Sequence, residues 1–514
     1  MKIISFILCI LISCVAFAQN SQNDEPIVQG SLHVYGDIYK YKGPIKGRVG
    51  LETTAAITVY VRTDGNDNNT CTVDSAAGAC LTIQAAIDKI PKAIKHAVAI
   101  NLGAGNFAGF AIEHFSFIGK DATMVVTGTL GNPTPATGTV SGTASSGSTS
   151  QCVDAGQSWT ENDFRGKLVK VGSQYRVVLN NDATTLNLVG ELAATCSGQT
   201  YELFEQKTVV TSATPLATDY TTGIMISGIK NSFMQLPYPK LLNIKVTAGV
   251  IFAIRIQTGS GAWLERLAMV GQAVGFQIQQ IGQSRLDILD CFSGSQTYYG
   301  FYFQEAGFSS RDQNGQGISR LYAYSSGLYG FTLYSMPYGQ EFHDIFAYNS
   351  GLHGVYAYQI DNIQFSHVVS KYNTGSGMSL HDSFNIDGDD DLMDLSNNGA
   401  YGLEVGFFEY NNSSMTLGYN SIISNNTAGG IYVIYASAIY CTGAVTGTGN
   451  GGYGVRLEDM SSMTINSGVT VTGSSGDATI NSGSVVLTWA TDFATNGDAI
   501  INTANQCKIK RTDP

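Results

Sequence analysis

Carboxylates are the side chains in this sequence best placed to do chemistry. Asp287, Asp290, Asp312, Glu341 and Asp344 fall in an aromatic-rich stretch, with Arg266, Arg285, Arg311, Arg320 and His343 in the same region. Hydrolysis of a glycosidic bond needs one carboxyl group as acid and a second as base or nucleophile. The two stand about 5 Å apart for retention and about 6.5–9.5 Å apart for inversion. Elimination instead needs a base beside an acidic C–H and a cation to hold a sugar carboxylate, roles open to the arginines and His343. An exposed polar ladder with no catalytic role would use the same residues. A second group lies in "DSFNIDGDDDLMD", where Asp387, Asp389, Asp390 and Asp391 are candidate calcium ligands, because calcium takes several oxygen ligands from a flexible loop. The spacing is not that of an EF-hand, and a solvated acidic loop is the alternative. No cofactor is required by these residues. The sequence has no nucleophile elbow, P-loop or dinucleotide fingerprint.

Whether any of these groups meet depends on the elements that carry them. Glycine recurs at Gly249, Gly275, Gly300, Gly330, Gly354, Gly377, Gly402, Gly430 and Gly454, every 23 to 30 residues. Each precedes a short alternating stretch such as "YGFTLY" or "HGVYAY", and alternation with period two means a strand with one buried face. A second alternating stretch precedes several of these glycines, as in "SRLYAYSSG" and "HDIFAYNSG". Turns between them hold Asn349, Asn373, Asn397, Asn398, Asn425 and Asn426, and Asn tolerates left-handed backbone. One such turn of chain cannot bury its own apolar face, but stacked copies can. The expected fold is therefore all-β, a parallel β-helix. In "LTIQAAIDKIP", Ile83, Ala86, Ile87 and Ile90 share one helical face and Pro91 ends it. This helix is expected to cap the open end of the solenoid.

Stacking places equivalent residues of neighbouring coils side by side. Tyr302, Tyr334, Tyr356 and Tyr358 then point outward from the glycine strands, and Tyr322, Tyr324 and Tyr348 from the other strand. Tyrosine offers an apolar face with a polar edge, which suits sugars. It is equally enriched in subunit interfaces, and ordinary ladder packing is the third reading.

Bulk properties narrow the function. The chain has 514 residues, a net charge of −12, 13% charged and 43% hydrophobic residues. An acidic chain of this kind lacks the basic patches that nucleic acid requires. Residues 1–18 read as a bacterial-type signal peptide with Ala16-Phe17-Ala18 at the cleavage site, implying a secreted or cell-surface protein. No later segment is apolar enough to span a membrane. "LISC" also resembles a lipobox, which would anchor the chain by lipid at Cys14. In an exported chain Cys71 with Cys80, and Cys152 with Cys196, are plausible disulfides, leaving an odd cysteine over.

"VYVRTDGNDNNT", "LTIQAAIDKIP" and "VAINLGAGNF" resemble the entry to pectate-lyase-like right-handed β-helices, a superfamily of polysaccharide lyases, hydrolases, esterases and phage tailspikes. The resemblance implies right-handed coiling over roughly residues 58–500. It carries over no catalytic set residue by residue. Its closest character is that of tailspike and fibre proteins, which implies a carbohydrate partner and a homotrimer. The expected organisation is a β arm over 19–57, first coils over 58–129, an antiparallel β insertion over 130–210, the main helix over 211–500 and a tail over 501–514. Three functions remain open: a glycan-recognising fibre or adhesin, a polysaccharide lyase or glycoside hydrolase in the same groove, and a structural stalk.

Overall fold

The computed structural model describes residues 52–514 apart from 215–220, 232–238, 248–249, 258–259, 280–284, 307–316, 337–339, 389–391, 407–412, 419, 466–468, 481–484, 489–498, 502–507 and 512–514. The expected signal peptide with Cys14, nearly all of the arm, Asp312, Asp389, Asp390, Asp391 and Cys507 lie outside the described residues.

The chain is a right-handed parallel β-helix. One coil illustrates the rest. Tyr329–Tyr334 forms a strand on a first face. Gln340–Tyr348 then runs along a second face, bends at Asp344 and continues along a third. A turn through Asn349 leads to Val355–Tyr358 on the first face of the next coil. Each strand pairs in parallel with its counterpart, Phe331 with Val355 and Phe342 with Phe365. The step between coils is thus one strand spacing, about 4.8 Å.

The recurrent glycine has a steric cause. A Cβ on Gly300 would stand 2.5 Å from the carbonyl oxygen of Gly330, and one on Gly330 would stand 2.8 Å from that of Gly354. The neighbouring coil occupies the space a side chain would need. After each glycine the alternating residues point inward as expected. Phe276, Phe301 and Phe331 are fully buried and stack with ring centroids 4.6 and 4.8 Å apart.

The turn asparagines divide into two sets. Asn349, Asn397 and Asn425 adopt positive φ at the turn itself. Asn373, Asn398, Asn426 and Asn450 point inward and form a buried ladder. Asn373 Nδ2 donates to Asn398 Oδ1 at 2.9 Å, Asn398 Nδ2 to Asn426 Oδ1 at 3.1 Å, and Asn426 Nδ2 to Asn450 Oδ1 at 3.2 Å. Each amide also accepts a backbone N–H from the coil before it. Buried polar groups therefore find partners along the axis as well as within their own coil, where Asn373 Nδ2 also donates to Ser370 Oγ at 3.0 Å.

A short helix, Ile83–Asp88, caps the N-terminal end, with Thr82 as N-cap and Ile83, Ala86 and Ile87 buried. The insertion is an antiparallel sheet over Leu130–Gln206. It has its own core of Trp159, Phe164, Val169, Val178, Leu186 and Leu203. The expected disulfides Cys71–Cys80 and Cys152–Cys196 are both formed, while Cys291 and Cys441 are buried free thiols. The insertion packs on the third face, where Leu168, Val177 and Val189 meet the outward ladder Ala268, Phe292, Tyr322, Phe346 and Val369. At the far end Lys508–Arg511 pairs with Val485–Thr488, so coil pairing runs into the segment read as a tail.

The asparagine ladder yields a stability prediction. Asn398→Ala removes an acceptor from the backbone N–H and the side chain of Asn373. It should cost about 2–3 kcal/mol, since each orphaned buried group costs about 1–3 kcal/mol. Asn349→Gly, at an exposed positive-φ turn, should change stability by only a few tenths of a kcal/mol. Denaturant unfolding of both variants checks the contrast.

Candidate functional site

The three faces have different fates. The third is covered by the insertion, the first carries stacked tyrosines, and among the described residues no element covers the second. On the second face one outward residue per coil falls into register. Lys240 pairs with Trp263, and Trp263 with Asp287. The next coil contributes Gly317, beside the paired Ile318. Glu341, Gln364, Asp387, Thr416 and Tyr440 follow in unbroken sequence. From Trp263 to Tyr440 this ladder spans seven steps, roughly 34 Å.

Its centre is a groove of about 500 Å³ lined by Gln340, Glu341, Asn362, Ile363, Gln364, Asn385, Ile386, Asp387 and Thr416. The floor comes from the strands. The rim comes from the turns leading in from the first face, where Asn362 and Asn385 hold positive φ. Glu341 and Asp387 are separated by one coil, so their Cα atoms stand about 9.6 Å apart with Gln364 between them. His343 Nε2 lies 3.0 Å from Glu341 Oε1 and fixes the orientation of that carboxylate. Asn385 Nδ2 donates to Asp361 Oδ1 at 3.3 Å. Seven of the nine lining residues carry amide, carboxylate or hydroxyl groups, which both donate and accept hydrogen bonds in one small volume.

The sequence-derived candidates separate by location. Glu341 lies in the groove, and Asp387, expected as a calcium ligand, joins it there. Asp287 shares their ladder but is buried and bound by Arg285, Nε to Oδ2 2.8 Å. Asp290 and Asp344 stand at the bend between the second and third faces. That bend stacks Asn243, Arg266, Asp290, Arg320, Asp344 and His367, all with positive φ. Arg320 grips Asp290 through two bonds of 2.9 and 3.1 Å, and His367 Nδ1 lies 2.7 Å from Asp344 Oδ1. Arg266 pairs with Glu265 and bonds Asn243. Burial pushes the Asp290 carboxyl up, against the opposing charge of Arg320. A Cβ on Gly190 of the insertion would meet Arg320 and Asp344, so this charged corner is a covered structural ladder. Among the described residues no group of three or more His, Cys, Asp or Glu side chains could hold a metal ion.

The expected aromatic strip is two strips. Tyr322 is 1% exposed beneath the insertion. Tyr324 lies under the Arg165 guanidinium at 4.2 Å, and Tyr348 packs on Tyr322 at 5.9 Å. Tyr322 therefore offers no ring face to solvent, while Tyr324 and Tyr348 remain partly exposed. On the first face Tyr302, Tyr334, Tyr356 and Tyr358 are half-buried, joined by Tyr299 and Tyr329. Tyr329 stacks on Tyr356 at 4.6 Å, Tyr299 on Tyr302 at 5.2 Å and Tyr334 on Tyr358 at 5.2 Å, with near-parallel planes. Each of these rings thus gives at least one face to a neighbouring ring. Burial pushes the Tyr302 and Tyr356 phenols up to about 12. Nearby, Ser379 Oγ lies 2.8 Å from His381 Nε2 and 3.4 Å from Glu404 Oε2. These are residue types of a hydrolytic triad, but all three are buried, which keeps a substrate carbonyl from Ser379.

Sequence reasoning missed Trp263, Gln364, Thr416 and Tyr440. It aligned coils by the glycine strand, and the second-face register becomes visible only when the preceding strands are aligned as well.

No known family model matches the chain, and no curated protein matches it. Among solved structures it resembles the A-module of a mannuronan C-5 epimerase from Azotobacter vinelandii, at 10% identity and a TM-score of 0.30, covering 80% of this chain and 86% of that one. It also resembles a lacto-N-biosidase from Eubacterium ramulus, at 9% identity and 0.35, covering 89% and 68%. A tailspike protein from Pseudomonas phage LKA1 follows, at 11% identity and 0.25, covering 84% and 72%. Likeness this distant assigns neither substrate nor activity to this chain.

The first face generates a pH prediction. His353 stacks on Tyr329 at 5.7 Å and accepts the Ser376 N–H at Nδ1, 2.9 Å. Burial pushes its pKa from 6.5 down to about 4. The unfolded chain then binds this proton at higher pH than the folded chain. The resulting stability is present above about pH 6.5 and is lost as pH falls toward 4, up to roughly 3 kcal/mol. His353→Gln should lose less stability than the parent between pH 7 and 4.5, measured by urea unfolding at each pH.

Proposed function

We propose that the chain is an exported carbohydrate-binding β-helix that holds an extended saccharide along its second face. The observation that carries this reading is the groove itself. Carboxylates, amides and a hydroxyl converge in about 500 Å³, a lining suited to a polyol, which must both donate and accept. Trp263 stands in register beyond one end of the groove, and the exposed Tyr440 is the next rung beyond the other. Aromatic side chains at such positions suit the apolar faces of sugar rings. The tyrosines of the first face, with ring faces stacked on one another, suit subunit contact better than sugar stacking. We therefore assign them to a homotrimer of fibre-like character rather than to the ligand.

A second reading rests on one distance. Glu341 and Asp387, two coil steps apart, have a Cα separation of about 9.6 Å. With inward-leaning side chains this brings the carboxyl groups within the range of about 6.5–9.5 Å used for hydrolysis with inversion. The same pair would then act as acid and base on a bond lying over Gln364. Lyase chemistry is less well served by the described arginines, and Arg311 lies outside the described residues. Arg266 and Arg320 are committed to the covered corner and Arg285 to Asp287.

Gln364→Trp fills the groove from an outward position and should lower polysaccharide binding at least tenfold without lowering Tm. Tyr356→Ala should leave binding within about threefold. Both are read by affinity electrophoresis through polysaccharide gels. Release of reducing ends by the parent, abolished in Glu341→Gln while binding persists, would establish hydrolysis. Light scattering of the signal-free protein should give the mass of a trimer, and a monomer would remove the fibre reading.

A further inference from the structure

The edge where the third face turns into the first carries an apolar ridge. Ile251, Ala273, Tyr298, Leu328 and Leu352 hold one position in successive coils, fixed by the pairing of the strands that follow them. Leu352 N–H donates to the Leu328 carbonyl at 2.8 Å, and Leu328 N–H to that of Tyr298 at 2.9 Å. Three of these side chains are large and exposed: Ile251 at 43%, Tyr298 at 49% and Leu352 at 40%. Small residues, from Gly375 through Ala400 and Ala428 to Gly452, hold the position in the next four coils. No member of the column is charged. Single exposed apolar residues are ordinary, but a contiguous apolar patch marks an interaction surface.

The two flanks of the ridge differ. On one side Tyr299 stacks on Tyr329 at 5.8 Å, at the start of the tyrosine face. On the other, Thr297, Gly327 and Gly351 immediately precede Tyr298, Leu328 and Leu352. A Cβ on Gly327 would stand 2.0 Å from the Thr297 carbonyl oxygen, and one on Gly351 2.0 Å from that of Gly327. Close coil packing therefore keeps a low line of small residues beside the ridge. Both features repeat at the coil step of about 4.8 Å, so a partner that seats on both over several coils must share that step. A second copy, rotated about an axis parallel to its coils, keeps its coils at the same heights. It then offers a ridge to this low line and a low line to this ridge. The column spans roughly 38 Å, and a first-face strand of six residues adds a width of about 20 Å. The resulting strip, about 760 Å², is close to the roughly 800 Å² that each partner gives to a stable complex.

Resting on the subunit reading above, we propose that this edge seats a second copy of the chain, with the ridge of one copy against the low line of its neighbour. Tyr298, Leu328 and Leu352 are the residues that hold the subunits together, and the first-face tyrosines extend the contact.

The test uses the full signal-free protein and reads its mass by sedimentation equilibrium over a range of concentrations. The parent should be an oligomer. Tyr298→Glu/Leu352→Glu puts charge into the ridge of every copy and should weaken association at least tenfold. Met460→Glu, at an exposed apolar residue in the turn leading to the second face, should leave association unchanged. Thermal unfolding checks that the double variant is folded. Leu328→Gln, a milder change on the half-buried middle rung, should weaken association in the same direction. An oligomer unaffected by the ridge variants, or weakened as much by Met460→Glu, would overturn the edge while leaving the subunit reading standing. A parent that is monomeric throughout would sink both. A lowered Tm for the double variant of such a monomer would make the chain's own segment 19–51 the occupant instead.

Discussion

Everything in this protein follows from coil-to-coil registration. Parallel pairing at about 4.8 Å per step puts each side chain directly against its counterpart one coil away. A residue's neighbour is then set by the period and hardly at all by local sequence. Apolar residues become stacks, as in Phe276, Phe301 and Phe331. Amides become a hydrogen-bonded ladder through Asn373, Asn398, Asn426 and Asn450. The arrangement is unforgiving where coils come closest, which is why glycine returns at Gly300 and Gly330 with the next carbonyl in the place of a Cβ.

The same rule sorts the charged residues into structural and exposed sets. At the bend between the second and third faces, alternation of Arg266, Asp290, Arg320, Asp344 and His367 lets opposite charges meet along the axis. The insertion then covers them. Burying paired charges this way is weak evidence of stabilisation, because desolvation offsets much of the attraction. Its clearer effect is to bind the bend residues of successive coils to one another. On the second face the ladder alternates differently. Glu341 and Asp387 are held apart by Gln364, and they lie away from the antiparallel insertion. Position in the coil, rather than residue type, separates a carboxylate that supports the fold from one that can meet a ligand.

Much of this was legible in the sequence. Glycine spacing and alternation gave the parallel β-helix, the inward residues and the capping helix, and both disulfides were anticipated from the segments they bracket. The site was less legible, for a physical reason. A solenoid face is built from residues a full coil apart, and coil lengths vary from 23 to 30 residues, so register errors accumulate. Asp290 and Asp344 look like Glu341 in sequence but sit at a left-handed bend. Tyr322 looks like Tyr356 but lies under an insertion whose docking surface no local pattern announces. Asp387 read as part of an acidic loop, because only pairing with Gln364 brings it into the groove.

The central claim is that ligand occupies the second face over the ladder Glu341, Gln364 and Asp387. Hydrogen–deuterium exchange with and without a saturating oligosaccharide tests it directly. The account predicts added protection in residues 340–343, 362–366 and 385–388, with the tyrosine strands 329–334 and 355–358 unchanged. Protection centred on those tyrosine strands, with the groove unaffected, would contradict it.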